Sequence, residues 1–268
     1  MGVAAAAALA PYVRSMSVYD ITGPPGVHLG LPSTQVSVVL PVDDPLDVAW
    51  SGDPGSRQRS WQSVSGLHTR PAHIRHGGWM AGVCLGLTPA GARALLGVPA
   101  GALAGTLVEL DDVDRSFRTL PERLATTPSS GWGAAVGRAL LEALERREAR
   151  APRAEVGRAL ALLTRGAAVS AVASDVGLTR RHLGELVRVE TGVTPQRWRQ
   201  LARFQRSQPM VAAGRRLADV AAACGYADQA HLAREWRELA GCSPTAWRRQ
   251  ELPIVQDMAA SRQQDGEA

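Results

Sequence analysis

A ten-residue segment near the C-terminus, Val169-S-A-V-A-S-D-V-G-Leu178, returns 48 residues later as Leu217-A-D-V-A-A-A-C-G-Tyr226. Apolar residues stand at matching positions in the two copies, and so does the glycine near their ends. The similarity continues at a spacing of 49 residues, where Gly192-V-T-P-Q-R-W-Arg199 matches Gly241-C-S-P-T-A-W-Arg248. One structural unit is therefore present twice, with one residue added inside the second copy.

Each copy has the pattern of a helix, a tight turn and a second helix. The apolar residues of 169–176 fall at i, i+3, i+4 and i+7, which is one face of a short helix. Gly177 and Gly225 follow where the chain must turn with positive φ, which glycine adopts without steric cost. Thr179 and Asp228 are then expected to cap the second helix of each copy. The spacing predicts two helix-turn-helix units.

The second helix of each copy would expose long polar side chains at its N-terminal end. In a helix-turn-helix, these positions reach base edges in the major groove of duplex DNA. A solvated face on an ordinary helix could carry the same residues, but two copies in register on a basic background favour DNA binding. The predicted base contacts are Arg180, Arg181, Glu185, Gln229, His231 and Arg234.

The distribution of charge agrees with this interpretation. Residues 1–145 contain 10 arginines and 12 acidic residues, whereas residues 146–268 contain 20 arginines and 13 acidic residues. The excess positive charge, which attracts phosphate, thus lies in the half with the repeat. Helix starts at Thr194-Pro195 and Ser243-Pro244 leave backbone N–H groups for an anion. The predicted phosphate contacts are Arg188, Thr194, Arg199, Arg203, Arg237, Ser243 and Arg248, with a merely solvated role as the alternative for any one arginine.

The segments GLTRRHLGELVRVETGVTPQRW and GYADQAHLAREWRELAGCSPTAWRR resemble the DNA-binding domain of the AraC/XylS transcription regulators, over roughly residues 155–250. The resemblance implies seven helices, with a long central helix joining two helix-turn-helix units whose recognition helices enter successive major grooves. Glu185 departs from the family pattern, which often has arginine there. Pro209 interrupts the expected central helix, from Pro195 to about Ala213, and predicts a kink or an early end.

The N-terminal half is predicted to be rich in β-structure. Short runs with β-branched or aromatic residues, separated by turns rich in Pro, Gly and Asp, favour a sandwich or barrel. These runs are Gln35–Leu40, Leu46–Trp50, Trp61–Val64 and Trp79–Gly86. Helices are expected over 88–97 and 132–148; the apolar stripe of the second fits a domain core or a dimer seam. The order of the modules resembles the cupin-like sensor halves of many AraC-type regulators.

The fold class that follows is a two-domain α+β protein. A β-rich domain with flanking helices, for ligand sensing or dimerisation, is expected at 11–150, because Pro152 and clustered charge interrupt two helical patterns at about 149–153. The tandem helix-turn-helix domain is expected at 151–252. Residues 253–268 are expected to be a disordered tail.

Three histidines within nine residues, His68, His73 and His76, raise the question of a metal site, since cupin-type barrels bind metals through histidine and carboxylate. No acidic residue lies within this stretch, and two arginines disfavour a cation. The sequence therefore predicts no metal and no cofactor here. If the domain binds a small molecule, the expected pocket residues are His68, Arg70, Arg75 and Trp79.

No glycine-rich phosphate loop, nucleophile elbow or HExxH motif occurs, so no catalytic residues are predicted. The three cysteines are far apart in sequence and indicate no disulfide framework, as expected in a reducing cytoplasm. The N-terminus lacks the basic start of a signal peptide, and no apolar run is long enough to cross a membrane. A bacterial, cytoplasmic protein that is not an enzyme is expected.

The sequence as a whole predicts a one-component transcription regulator that reads an asymmetric site of roughly 20 base pairs with two recognition helices. Its expected partners are double-stranded DNA, a small-molecule effector, RNA polymerase and a second copy of the chain. One alternative is a cupin-like metal-binding or enzymatic N-terminal domain fused to a DNA-binding domain. Another is an N-terminal half that only dimerises or contacts polymerase.

Overall fold

The computed structural model describes residues 7–147 and 153–250. Residues 149–152 of the predicted domain boundary and the predicted tail from residue 253 lie outside the described residues. Within the described part, no helix is long and apolar enough to span a membrane.

Two antiparallel sheets form the N-terminal half and confirm the predicted β-rich fold. The first sheet has the strand order β1-β8-β3-β6-β9 and the second β2-β7-β4-β5. In chain order the strands are β1 Val13–Thr22, β2 Gly26–Gly30, β3 Val36–Pro41, β4 Leu46–Trp50, β5 Gln58–Ser60, β6 Ser63–Ser65, β7 Ala72–His76, β8 Trp79–Leu87 and β9 Leu107–Glu109.

The two faces of the first sheet differ in chemistry. Side chains alternate across a strand, so the register of β1, β3, β6 and β8 assigns each residue to a face. One face is apolar and buried under helices, with Val36, Val38, Leu40, Val83 and Leu85 almost fully inaccessible to solvent. The opposite face, toward the second sheet, is mixed: it carries the hydroxyl residues Tyr19, Ser37, Ser63 and Ser65 beside the apolar Ile21, Val39 and Met80. The space between the sheets is therefore not filled by an apolar core.

Helices cover the apolar face of the first sheet. They are α1, Pro89–Gly91 continued as a π-helical turn over Ala92–Leu96, then α2 Leu110–Val113, α3 Leu120–Ala125 and α4 Ser129–Arg146. The predicted helix over 88–97 is present: the Thr88 side chain accepts a hydrogen bond from the N–H of Gly91, and Gly97 ends the helix with φ of 76°. The predicted helix over 132–148 corresponds to α4.

Seven helices follow in the described C-terminal part, as the family resemblance implied. They are α5 Ala154–Thr164, α6 Val169–Asp175, α7 Arg180–Thr191, α8 Pro195–Ala212, α9 Leu217–Cys224, α10 Gln229–Ala240 and α11, residues 244–250. The early end predicted at Pro209 is wrong, because α8 continues to Ala212. Pro209 itself is exposed, and the turn that follows it is held by buried Val211.

The two halves pack directly on each other. The end of α7 lies against the turn Ala100–Leu103, where a Cβ added to Gly101 would be 2.4 Å from the carbonyl oxygen of Val189. Nearby, the Arg93 guanidinium on α1 bonds the buried Glu190 carboxylate on α7 at 2.7 Å. The first helix-turn-helix unit is thus attached to the sheet domain by its second helix.

Candidate nucleic-acid interface and inter-sheet cavity

The turns and caps of both helix-turn-helix units have the predicted geometry. Gly177 and Gly225 have φ of 68° and 79°, values that strain residues with a Cβ. The Thr179 hydroxyl accepts a hydrogen bond from the N–H of His182 at 3.2 Å, and the Asp228 carboxylate accepts one from the N–H of His231 at 2.6 Å. Each cap fixes the first turn of a second helix, α7 or α10.

Burial of one side of α7 and α10 decides which residues they expose. Leu183 and Val187 on α7, like Leu232 and Trp236 on α10, are fully buried. Trp236 is the centre of the second unit: its ring lies 4.9 Å from that of Phe204 and 5.2 Å from that of Trp247. Its indole N–H also donates to the Ser207 hydroxyl at 2.9 Å. The opposite sides of the two helices face solvent.

Several predicted base-contact residues are exposed near the start of α7 and α10. Arg180, Gln229 and Arg234 are exposed, and within the described residues none of their side chains has a hydrogen-bond or ion-pair partner. Arg181 pairs with Glu185 at 3.1 Å across one helical turn. That hydrogen bond, with a second from His182, lowers the pKa of Glu185, which therefore presents an anionic acceptor on α7.

Two predicted DNA contacts lie instead in the seam between α8 and α10. Arg203 donates through Nε to buried Glu235 at 2.8 Å, and its guanidinium lies 5.1 Å from the centre of the Tyr226 ring. The His231 ring packs edge-on against Tyr226, with Nδ1 3.3 Å from the N–H of Ala227. A buried carboxylate requires a cation. Arg203 and His231 thus have partners inside the protein, with which their predicted contacts with DNA would compete.

Arg199 also has internal partners. One guanidinium nitrogen donates to the carbonyl of Gly166 at 2.9 Å and another to the Gln196 side chain at 3.1 Å. Its predicted phosphate contact thus competes with a role in holding the turn between α5 and α6.

The remaining predicted phosphate contacts lie at the ends of α7, α8, α10 and α11. The hydroxyls of Thr194 and Ser243 each cap a helix, accepting from an N–H at 3.2 Å. Arg188 and Arg237 are exposed in the last turns of α7 and α10, and Arg248 lies beside Gly214. The exposed members of this set can reach a phosphate without breaking an internal ion pair.

A cavity of about 540 Å³ lies between the two sheets. His68 and Arg75, two of the predicted pocket residues, contribute to its lining. The other two do not: Arg70 pairs with Asp53 at 3.4 Å, and Trp79 is 49% exposed, with its N–H on Asp20. Trp79 lies on the face of β8 that also carries Ala81 and Val83, whereas its neighbour Met80 lines the cavity; the sequence alone could not indicate which face is turned to the cavity.

Two histidines form one edge of the cavity, and sequence reasoning missed the first of them as a pocket residue. His28 on β2 and His76 on β7 have ring centres 5.6 Å apart. Burial, with a contribution from the His76 charge, lowers the pKa of His28 from 6.5 to about 4, so the ring is neutral at pH 7. Its Nδ1 has no hydrogen-bond partner among the described residues. Among those residues, no cluster of three His, Cys, Asp or Glu side chains could hold a metal ion.

This depressed pKa predicts that the fold loses stability on acidification. Between pH 6.5 and pH 4, His28 is protonated in the unfolded chain and neutral in the folded chain. Protons therefore stabilise the unfolded state, and the free energy of unfolding falls as the pH falls. From pH 7 to pH 5 the loss through His28 is at most about 2 kcal/mol. Urea denaturation at both pH values should show a smaller loss for His28→Gln than for wild type. His73→Gln, on the other face of β7, is the control; equal losses in all three proteins would refute the assignment.

The DNA-binding half completes the cavity wall. Trp247 on α11 is 5% exposed and belongs to the lining, although every other lining residue comes from the sheet domain. Its indole N–H has no hydrogen-bond partner in the part of the chain that the structure describes. The Trp247 ring packs, tilted by 56°, against the ring of Trp236, so it connects the cavity wall to the helix α10.

Comparisons with known proteins agree with this geometry. The helix-turn-helix domain family matches residues 172–250. ToxT from Vibrio cholerae has the same fold with a TM-score of 0.51 at 10% identity, over 90% of this chain and 98% of ToxT. A second ToxT structure, of the wild-type protein from strain SCE256 with an unsaturated fatty acid bound, has a TM-score of 0.52 at 10% identity, over 88% of this chain and 95% of that one.

A regulator from Chromobacterium violaceum, described by its AraC-type DNA-binding domain, is similar over 36% of this chain and 90% of its own, at 21% identity and a TM-score of 0.34. No curated protein sequence matches the chain. The repeated, capped helix pair and the family match lead to one conclusion: residues 172–250 are a helix-turn-helix domain of the AraC type, which is the DNA-binding part of the chain.

Proposed function

We propose that the protein is a one-component regulator that reads an asymmetric DNA site of about 20 base pairs, with α7 and α10 in major grooves one helical turn (~34 Å) apart. The observation that carries this proposal is the exposure, on the N-terminal halves of both helices, of long side chains that have no partner among the described residues. Arg180 lies at the start of α7, and Gln229 and Arg234 lie on α10. Arginine suits guanine and glutamine suits adenine in the major groove.

The roles proposed for the other polar residues follow from the partners that they have within the protein. Glu185 and Arg181 form a pair that can offer an acceptor and a donor to neighbouring bases. Arg188, Arg237 and Arg248 are proposed to contact phosphates, together with the N–H groups at the starts of α8 and α11. Arg203 and His231 are proposed to orient α10 against α8.

Selection from a random duplex library by the purified full-length protein at about 150 mM salt tests this proposal, because non-specific attraction to phosphate weakens steeply at that salt concentration. The expected result is an enriched motif with two unlike half-elements about 10 base pairs apart. Enrichment of a single half-element would mean that only one unit reads bases. Binding that shows no sequence preference and disappears as the salt concentration rises would contradict the proposal.

We further propose that the sheet domain, residues 11–150, binds a small-molecule effector in the inter-sheet cavity. An internal cavity with few, well-placed polar groups is the usual form of a small-molecule site. ToxT, which shares the fold, has been crystallised with an unsaturated fatty acid bound. A ligand that prefers one arrangement of Trp247 would change DNA affinity by shifting the population of that arrangement.

The contacts between the two halves support such coupling. Besides the pair of Arg93 with Glu190, the side chain of Gln205 on α8 accepts hydrogen bonds from the N–H and hydroxyl of Thr34 at 3.1 and 2.8 Å. The helices α7 and α8 are therefore joined to the sheet domain by directional bonds, while α11 contributes Trp247 to the cavity wall. RNA polymerase and a second copy of the chain are proposed as further partners, and the bacterial cytoplasm as the location.

A further inference from the structure

The hydroxyl groups of the inter-sheet cavity all lie on one of its walls. The first sheet supplies every hydroxyl group of the lining, from Tyr19, Ser37, Ser63 and Ser65. The middle strands of the second sheet supply mainly apolar surface, from Leu46, Val48, Trp50 and Ile74. A molecule between the sheets would therefore meet hydroxyl groups on one side and an apolar wall on the other, with His28 and His76 at the edge of that wall.

The hydroxyl groups are available to a ligand. Within the described residues, no group hydrogen-bonds the hydroxyls of Ser37 or Ser63. The Tyr19 hydroxyl lies over Gly82, where an added Cβ would be 2.8 Å from it. Burial raises the pKa of Tyr19, so its phenol stays protonated and can donate. These groups can recognise hydroxyl or carbonyl oxygens.

The charged residues of the lining do not form a site for an anion. Arg59, Arg75 and Asp47 border the cavity, but both arginines pair across strands with Asp47, so the pleat directs all three side chains to the outer face of the second sheet. The lining also contains two acidic residues, Asp43 and Asp44, which disfavour an anionic ligand. A buried carboxylate needs a cation or several donors to offset its desolvation. The cavity therefore supplies hydroxyl and imidazole groups on its inner faces and no inward arginine among the described residues.

We propose that the cavity binds an uncharged, planar, oxygenated ring compound, whose hydroxyl or carbonyl groups bond the first sheet while its ring lies on the apolar wall of the second. This inference rests on the proposed function, in which the cavity holds the effector. Packed sheets are about 10 Å apart, a spacing that suits a flat ring system better than a branched one. Trp50 on one side and Trp247 at the end offer it aromatic contacts.

Four probes of one ring system test the proposal: naphthalene, 2-naphthol, 2,7-dihydroxynaphthalene and 2-naphthoate, measured by equilibrium dialysis against the full-length protein at pH 7. The affinity is expected to rise roughly threefold to tenfold with each hydroxyl group. The carboxylate 2-naphthoate is expected to bind at least about tenfold more weakly than 2-naphthol, because nothing offsets its desolvation.

Variants connect the binding to this cavity. Tyr19→Phe and Ser37→Ala should each reduce the affinity for the dihydroxy probe roughly threefold to tenfold and leave that for naphthalene unchanged. Val39→Trp, which puts an indole into the cavity, should weaken binding of all three neutral probes. Binding of 2-naphthoate as tight as that of 2-naphthol, or hydroxyl groups without effect, would overturn the ligand class while the effector cavity stands. If no probe binds, both the ligand class and the effector cavity are refuted. The proposed reading of DNA is tested separately, by the selection from the random duplex library.

Discussion

Replacing Trp236 with alanine is expected to lower the free energy of unfolding of the DNA-binding half by roughly 3 to 5 kcal/mol. The side chain is fully buried between Phe204 and Trp247, so truncation leaves a large cavity. It also leaves the Ser207 hydroxyl, itself buried, without the indole N–H that it accepts. Because α10 carries Trp236, sequence-specific DNA binding should be lost as well.

Urea denaturation followed by far-ultraviolet circular dichroism measures this effect. Trp79→Ala is the matched control, since it removes the same side chain from a position that is 49% exposed, and it should cost less than about 1 kcal/mol. Trp236→Phe should recover part of the loss by filling the space. A cost for Trp236→Ala no larger than that for Trp79→Ala would mean that Trp236 does not organise the second unit.

The double variant Arg180→Ala, Arg234→Ala is expected to lose roughly 2 to 6 kcal/mol of binding to the selected operator, about 1 to 3 kcal/mol for each lost base contact. Neither arginine has an internal partner in the described residues, so stability should change little. The ratio of specific to non-specific affinity should fall, because binding to scrambled duplex loses only the general attraction of two charges.

Fluorescence anisotropy with the operator and with a scrambled duplex, at one salt concentration, separates these effects. Arg14→Ala combined with Arg118→Ala removes the same charge from exposed positions of the sheet domain and should leave the ratio unchanged. Each single variant should relax specificity in one half-element alone. Equal losses on operator and scrambled duplex would show that Arg180 and Arg234 contact the phosphate backbone and read no bases.

The helix-turn-helix units could be predicted closely because the signals that specify them are local. A cap such as Thr179 bonds an N–H three residues away, and Gly177 relieves a steric conflict within its own turn. Hydrophobic spacing then selects the buried side of each helix without reference to distant residues. Helix starts, turns and exposed faces near the C-terminus could therefore be predicted from short stretches of chain.

The β-rich half could be predicted only in outline. Its strands pair across long separations: β1 lies against β8, with Tyr19 opposite Gly82. The strands β2 and β7 are short, and their sequences show too little alternation of apolar and polar residues to be recognised as strands. The sequence therefore did not indicate that His28 lines the cavity or that it lies close to His76. The order of strands in a sheet and the wall that each residue lines depend on these non-local pairings.

The amino-acid sequence alone was sufficient for the repeated unit, its caps and its charge, because each depends on residues within a few positions of one another. Tertiary structure decided which polar residues remain free. Arg203 and Arg234 look equivalent in the sequence, yet buried Glu235 takes the first as its partner and leaves the second exposed. Folding also places Trp247 of the DNA-binding half against the sheet cavity. A buried carboxylate is stabilised by a cation beside it and a large aromatic ring by the apolar surface around it, and the tertiary structure decides which groups those are.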